Sequence, residues 1–300
     1  MFDELTYLIY KVLRIKGYGA VSMNKALLTL SHNEALFSNE DHSIEPLKKW
    51  IRKEFTDRFF EPDDDLNKML NFACDKKVKF INVLNHQYPI SLKKSLTNST
   101  PPVLSYIGNV NLLNTYKVGF CGSRKASEKG LEVAKDCAIQ LSERKIAVVS
   151  GYASGVDIQT HYWALKSNGA TIIVLPEGIN HFYIKKELKE VWDWNRVLII
   201  SEFEPNSIWS TSRAMQRNNT IIALSNAMVL IEAGEKGGSI DAGEKALRMH
   251  KYLFAPIYEG MPEHAIGNEI LLNKGAYPIR KSSKTMRANL NQLLKAVAIG

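Results

Sequence analysis

The stretch KVGFCGSRKASEKGLEVAKDCAIQLSERKIAVVS, residues 117–150, decides how this chain is read. An apolar run from Val118 to Cys121 enters the turn Gly122-Ser123-Arg124, helical spacing begins around Ser127, and a second apolar run covers Ile146 to Val149. Strand, glycine turn, helix and strand in that order make a βαβ unit, and its strands are parallel. The turn has the composition of an anion site. The first N–H groups of a helix point outward, its dipole favours negative charge, glycine admits an oxygen close to the backbone, and Arg124 adds a planar donor fork. A Gly122 that simply makes a tight turn accounts for the same residues.

Two more turns of this kind follow. Ser150-Gly151-Tyr152-Ala153-Ser154-Gly155-Val156-Asp157 opens a helix carrying His161, and Glu232-Ala233-Gly234-Glu235-Lys236-Gly237-Gly238-Ser239 opens a helix running through Leu247. Strands are expected at 117–121, 145–150, 170–175, 197–202, 226–232 and 251–255, with helical stretches between them. The fold class is therefore α/β, an extended Rossmann-like, doubly wound and mostly parallel sheet. In such sheets these turns emerge at the carboxyl ends of strands, where ligands bind, so one extended phosphate-binding groove is expected.

Outward from the sheet, residues 1–78 form a small helical domain with apolar residues at helical spacing: Leu5, Leu8, Ile9, Val12, then Ala26, Leu27 and Leu30. Ile15-Lys16-Gly17-Tyr18-Gly19 breaks this pattern as a helix-hairpin-helix or sterile-alpha-motif-like turn does, and serves either as a plain connection or as a DNA contact. The acidic run Asp63-Asp64-Asp65 would repel phosphate and reads as a solvated loop or a helix start. The sheet domain covers 79–282, with Thr100-Pro101-Pro102-Val103-Leu104 read as a bridging turn. Residues 283–300 form a C-terminal helix presenting Met286, Leu290, Leu293, Leu294 and Val297 on one face.

A chain of 300 residues with 45% hydrophobic content can bury a full core. No apolar run approaches the roughly 20 residues of a membrane span, and Met1-Phe2-Asp3-Glu4 is acidic where a secretory signal is basic. Cys74, Cys121 and Cys137 have no metal-ligand spacing and suit buried thiols of a cytoplasmic protein. A net charge of +8 permits an anionic partner without demanding one. Its placement says more: no acidic residue follows Glu269, while Lys274, Arg280, Lys281, Lys284, Arg287 and Lys295 do.

From residue 79 to 280 the chain resembles the DNA-processing protein A (DprA or Smf) family. The resemblance rests on Tyr88-Pro89, Pro101-Pro102-Val103-Leu104 with Gly108, Gly122-Ser123-Arg124, Ser150-Gly151 with Gly155, Asp157 and His161, Ser201-Glu202, Arg217-Asn218, Gly238-Ser239, Gly267-Asn268 and Gly275-Ala276. It implies a homodimeric protein that binds single-stranded DNA and hands it to the RecA recombinase in recombination and natural transformation. No catalytic reaction and no cofactor are implied. Gly122, Ser123 and Arg124 would hold one phosphate and Gly238 with Ser239 another, with Gly151 and Gly155 in the second turn, Arg217 and Asn218 on the next loop, Lys125, Lys185 and Lys186 as flanking charges, and Tyr183 as a base-stacking platform.

Four departures stand out. Ser154 replaces a basic residue, Asn219 a second arginine, Tyr183-Ile184 interrupts a Tyr-Pro-x-x-Asn loop, and Ala242 lies where a threonine is usual. The winged-helix module carried by many relatives at the carboxyl end is expected to be missing. Asp157 and His161, one turn apart, read as structural partners that bond loop N–H groups or one another, and Glu202 and Glu232 read as loop-organising carboxylates. The alternative function is a nucleotide-binding protein of the related superfamily, sensing a small nucleotide or hydrolysing its N-glycosidic bond, to which Gly237-Gly238-Ser239 bears a partial likeness.

Overall fold

The computed structural model describes residues 2–31, 45–55 and 57–299. Positions 32–44 and 56 of the expected helical part, and the side chain of Leu30, lie outside the described residues.

The apolar runs become strands because near-continuous apolar sequence suits a sheet buried on both faces. They are β3 (Lys117–Cys121), β4 (Ala147–Ser150), β5 (Thr171–Val174), β6 (Val197–Ser201), β7 (Ala227–Leu230) and β8 (Tyr252–Pro256). With β1 (Lys79–Asn82), β2 (Val103–Gly108) and β9 (Tyr277–Ile279) they form one nine-stranded sheet in the order β1-β2-β6-β5-β4-β3-β7-β8-β9. All pairings are parallel except β1 with β2 and β2 with β6. The chain steps outward from β3 to β6, then returns through a helix to β7 on the other side of β3. The strand order therefore reverses between β3 and β7, and the crevice of a doubly wound sheet opens there.

Two expectations are corrected. Val103 and Leu104, read as part of a bridging turn, begin β2 opposite Asn82 and Ile81, and Pro102 just before them, which has no N–H to donate, accepts from the Val83 N–H at 2.8 Å. The last helix, α11 (Asn291–Ile299), begins later than residue 283: Met286 is 63% exposed with φ +59°, and Leu290 precedes the helix. Leu290, Leu293, Ala296 and Val297 pack into the apolar layer beside β7 and β8.

The helical segments are α1 (Glu4–Leu13), α2 (Ala20–Ser31), α3 (Glu45–Glu54) and α4 (Asp64–Asp75). Asp63 caps α4 by accepting from the Leu66 N–H at 2.9 Å, so the acidic run is a helix start. Gly17 has φ +92°, the left-handed turn that separates α1 from α2. The core of this part joins Leu5, Leu8, Ile9, Val12, Met23 and Leu27 to Val103 of β2. Tyr10 also packs edge-on against Phe80 of β1, with ring centroids 6.0 Å apart. No helix among the described residues is long and apolar enough to cross a membrane.

Candidate nucleic-acid interface

The remaining helices α5 (Ile90–Leu96), α6 (Glu128–Ser142), α7 (Val156–Lys166), α8 (Thr211–Leu224), α9 (Gly238–Arg248) and α10 (Ile266–Asn273) connect the strands. The three glycine turns all lie at strand carboxyl ends, after β3, β4 and β7, and lead into α6, α7 and α9. They differ in what they leave free.

The start of α6 is already occupied. Ser127 accepts from the Gly130 N–H at 3.0 Å, and the fully buried Glu232 accepts from the Ser127 N–H at 2.8 Å and from its hydroxyl. Glu232 thus ties the end of β7 to the start of α6, the organising role expected of it. His264 stands 3.6 Å from the same carboxylate.

Gly122 and Gly155 serve packing between turns. A Cβ on Gly122 would stand 2.6 Å from Val156 Cγ2, and one on Gly155, whose φ is +79°, 2.5 Å from the Ser123 carbonyl oxygen. The first turn therefore rests on the second, with Arg124 and Lys125 exposed at its tip and the Lys125 N–H donating to Ser123 Oγ at 3.0 Å. By contrast, α9 opens at Gly237, φ +112°, without a side-chain cap, and Gly237 and Gly238 are exposed. Its first N–H groups meet no capping side chain among the described residues, and an anion can meet them instead.

Between the first two turns and α8 lies a cavity of about 390 Å³ lined by Arg124, Tyr152, Ser154, Glu177, His181, Tyr183, Lys185, Trp209 and Arg217 among others. Its floor is Arg217, which lies in α8 rather than on a loop and is 7% exposed. The sequence reading placed it on a loop, but the helical pattern extends through it because Thr220, Ile221 and Leu224 must face the core. One guanidinium nitrogen donates to the Val174 carbonyl at 2.6 Å, while Nε has no hydrogen-bond partner among the described residues. Burial lowers the Arg217 pKa, and Asp157, Glu177 and Glu202 oppose that effect. Gly151 makes room for this side chain, since a Cβ there would run into the guanidinium.

Asp157 and His161 do not bond one another as one alternative had it. Asp157 accepts from Ser150 Oγ at 2.7 Å and from the Ala153 N–H at 3.1 Å, which holds the second turn. His161, fully buried, bridges Thr171 Oγ1 and the Gly151 carbonyl, each at 2.6 Å. A carbonyl only accepts, so Nε2 carries the hydrogen; the ring is neutral because burial disfavours its charged form, which leaves Nδ1 to accept from the Thr171 hydroxyl at 2.6 Å, closer than the Val148 carbonyl that lies 3.2 Å from the same hydroxyl. Burial pushes its pKa down to about 4. Glu202 accepts from Thr220 at 3.1 Å and Gln216 at 3.2 Å, and burial raises its pKa to about 7.

At the rim, Tyr183 is 67% and Trp209 49% exposed. Lys185 is drawn inward, its ammonium on the Tyr152 carbonyl at 2.5 Å and over the Tyr152 ring, while Lys186 is exposed. Asn218 and Asn219 are half-buried in α8 and outside the cavity lining; Ser154 is exposed and on it. Gly238 neighbours Met215 of α8, so the α9 start and the cavity flank the same helix, although Ser239 does not line the cavity. Trp209 and Glu177 were missed by sequence reasoning: Glu177 lies beside Gly178 in the turn after β5 and Trp209 in the segment before α8, and they reach the cavity that Arg124 lines only through the parallel order of β3, β4 and β5 and the placement of α8.

The family profile described as DNA recombination-mediator protein A matches residues 79–290. The chain belongs to this family. DNA processing protein DprA of Streptococcus pneumoniae is 31% identical over 228 residues, 74% of this chain and 77% of that one. DprA of Bacillus subtilis is 28% identical over 71% of this chain and 72% of its own length. The X-ray structure of the Streptococcus pneumoniae DprA superposes with TM-score 0.74 at 26% identity, covering 93% of this chain and 95% of the other. A Helicobacter pylori DprA structure, described for its unique single-stranded DNA binding mode, matches with TM-score 0.61 at 27% identity, covering 73% and 96%. The DprA likeness thus takes in the whole sheet with its carboxyl-end turns.

Proposed function

We propose that this protein binds single-stranded DNA across the carboxyl-end face of its sheet, protects it, and loads a RecA-type recombinase onto it. It acts in the cytoplasm as a homodimer, in recombination and natural transformation, without a reaction of its own. The observation that carries this reading is the convergence, around one cavity, of Arg124, buried Arg217 and Lys185 with the exposed rings of Tyr183 and Trp209, beside the uncapped start of α9. Cations following a backbone and aromatic faces for bases are what sequence-tolerant strand binding needs. Family membership and the relative described as binding single strands support it. Both ring nitrogens of His161 are engaged, which suits a structural part rather than a general base.

A second reading, a nucleotide pocket, is favoured by the size of the cavity, about 390 Å³, within the range of small-molecule sites. Titration with labelled oligothymidine and separately with mononucleotides, each at two salt concentrations, separates the two. Strand binding predicts that Arg124→Ala weakens oligothymidine binding and lowers the slope of log K against log salt by about 0.7 for one lost phosphate contact. Unchanged affinity and slope in a folded Arg124→Ala protein would refute the groove, and saturable mononucleotide binding without oligothymidine binding would establish the pocket instead.

A further inference from the structure

A second cavity, of about 870 Å³, opens at the opposite edge of the sheet. Lys117 begins β3, Asn226 immediately precedes β7 and Tyr252 begins β8, and all three line it, so it lies at the amino ends of these strands. Lys145, His250 and Lys251 line it too, and among the described residues of its lining there is no Asp or Glu. Lys117 is 5% exposed, and its ammonium donates to the Leu113 carbonyl at 2.9 Å and the Thr115 carbonyl at 2.5 Å. The Lys251 ammonium donates to the Ser225 carbonyl at 2.8 Å. Leu113, Thr115 and Ser225 are themselves lining residues, so both charges lie at the wall of the cavity.

A buried charge is ordinarily paired with one of opposite sign. Among the described residues neither lysine has a carboxylate within ion-pair distance, and carbonyls are their partners. Burial pushes the Lys117 pKa down to about 8, with the like charge of Lys251 acting the same way, and burial also lowers that of Lys251. The helices α6, α8 and α9 finish at this edge, each carrying roughly half a negative charge there. Lys117, Lys145 and Lys251 bring a full positive charge each, so an excess of positive charge remains. Lys145 and His250 stand just beyond α6 and α9 with φ +58° and +54°, the left-handed conformation that glycine adopts without strain.

The exposed tyrosines Tyr116 and Tyr252 belong to the same lining, and Tyr252 packs beside Tyr277 with ring centroids 6.0 Å apart. A cavity of this size falls within the range of small-molecule sites, and clustered ammonium groups beside flat aromatic faces match a ligand that joins phosphates to a base. We propose that the amino-end cavity binds a nucleoside diphosphate, its phosphates on Lys117, Lys145 and Lys251 and its base against the tyrosine rings. The ligand supplies the counter-charge that the buried lysines lack. The site is separate from the carboxyl-end face and does not rest on the strand-binding reading. Helix α8 spans the distance between them, with Ala214 and Arg217 on the first cavity and Leu224 on this one.

Isothermal titration calorimetry on the full chain tests this with ADP, pyrophosphate and inorganic phosphate as probes. ADP is expected to bind saturably and about tenfold more tightly than pyrophosphate, the scale of one base stacked on an aromatic ring. Lys251→Met should weaken ADP binding about tenfold, as the loss of one charge-assisted hydrogen bond does. The paired exposed changes Lys145→Asn and His250→Asn, which keep a residue suited to the left-handed conformation, should weaken it about threefold. Thermal unfolding reports that each variant is folded. Saturating oligothymidine and the Arg124→Ala change should both leave ADP affinity within about twofold of its value in the free wild type. Absence of ADP binding, or ADP binding that is unchanged in the folded variants, would overturn the site. Displacement of ADP by oligothymidine, or its loss in Arg124→Ala, would place the nucleotide in the carboxyl-end cavity and overturn the proposal equally. Pyrophosphate binding as tight as that of ADP would overturn the nucleoside assignment.

Discussion

Acid should weaken this protein through His161, and the size of the effect follows from its surroundings. The imidazole is fully buried, and its pKa falls from 6.5 to about 4. At 1.36 kcal/mol per pKa unit, that difference corresponds to about 3 kcal/mol. The folded state holds the proton less tightly than the unfolded chain. The contribution of neutral His161 is therefore complete above pH 6.5, declines as the unfolded chain takes up the proton, and is gone near pH 4. Between pH 7 and pH 5 the loss amounts to about 2 kcal/mol. Glu202 works in the opposite direction, because its folded pKa of about 7 lies above the ordinary carboxylate value and protonation there favours the folded state as pH falls. A pH curve of the wild type alone mixes the two. Urea unfolding of wild type and His161→Gln at pH 7 and pH 5 isolates the histidine: the stability advantage of the wild type should narrow by about 2 kcal/mol at the lower pH. Parallel behaviour of the two proteins would show that His161 is not held neutral by burial and would refute the reasoning.

Two structural substitutions follow the same logic. Ser127→Ala removes the α6 cap and leaves the buried Glu232 carboxylate without its hydroxyl donor; unfolding midpoints should report a loss of about 2 kcal/mol, of which the cap alone accounts for about 1. Gly151→Ala sets a methyl group against the Arg217 guanidinium and 2.5 Å from Asp157 Oδ2, so it should cost about 1–3 kcal/mol of stability and weaken oligothymidine binding, whereas unaltered stability would show that Arg217 has space to move.

What the sequence determined by itself was the periodic part of the molecule. Apolar runs such as Val118 to Cys121 and Ile146 to Val149, each bounded by a glycine turn and a helical stretch, suit strands of a sheet covered on both faces, and the glycine turns between strand and helix fall at strand carboxyl ends. The same locality marked Ser127 as a helix start and narrowed Asp63 to a helix start or a solvated loop, because a cap is settled within three residues. Tertiary structure decided everything that depends on which distant segments meet. Arg217 belongs to a helix by its local pattern, yet its position beneath Gly151 arises only because α8 crosses the sheet back to β7. His161 and Asp157 share a helix face but take separate partners, since Thr171 of β5 and Gly151 of the turn after β4 reach the histidine. Glu177 and Trp209, 32 positions apart in the chain, face one cavity for the same reason. Helical and strand periods are properties of a few consecutive residues, whereas a site is a convergence of loops whose separation in sequence carries no periodic signal.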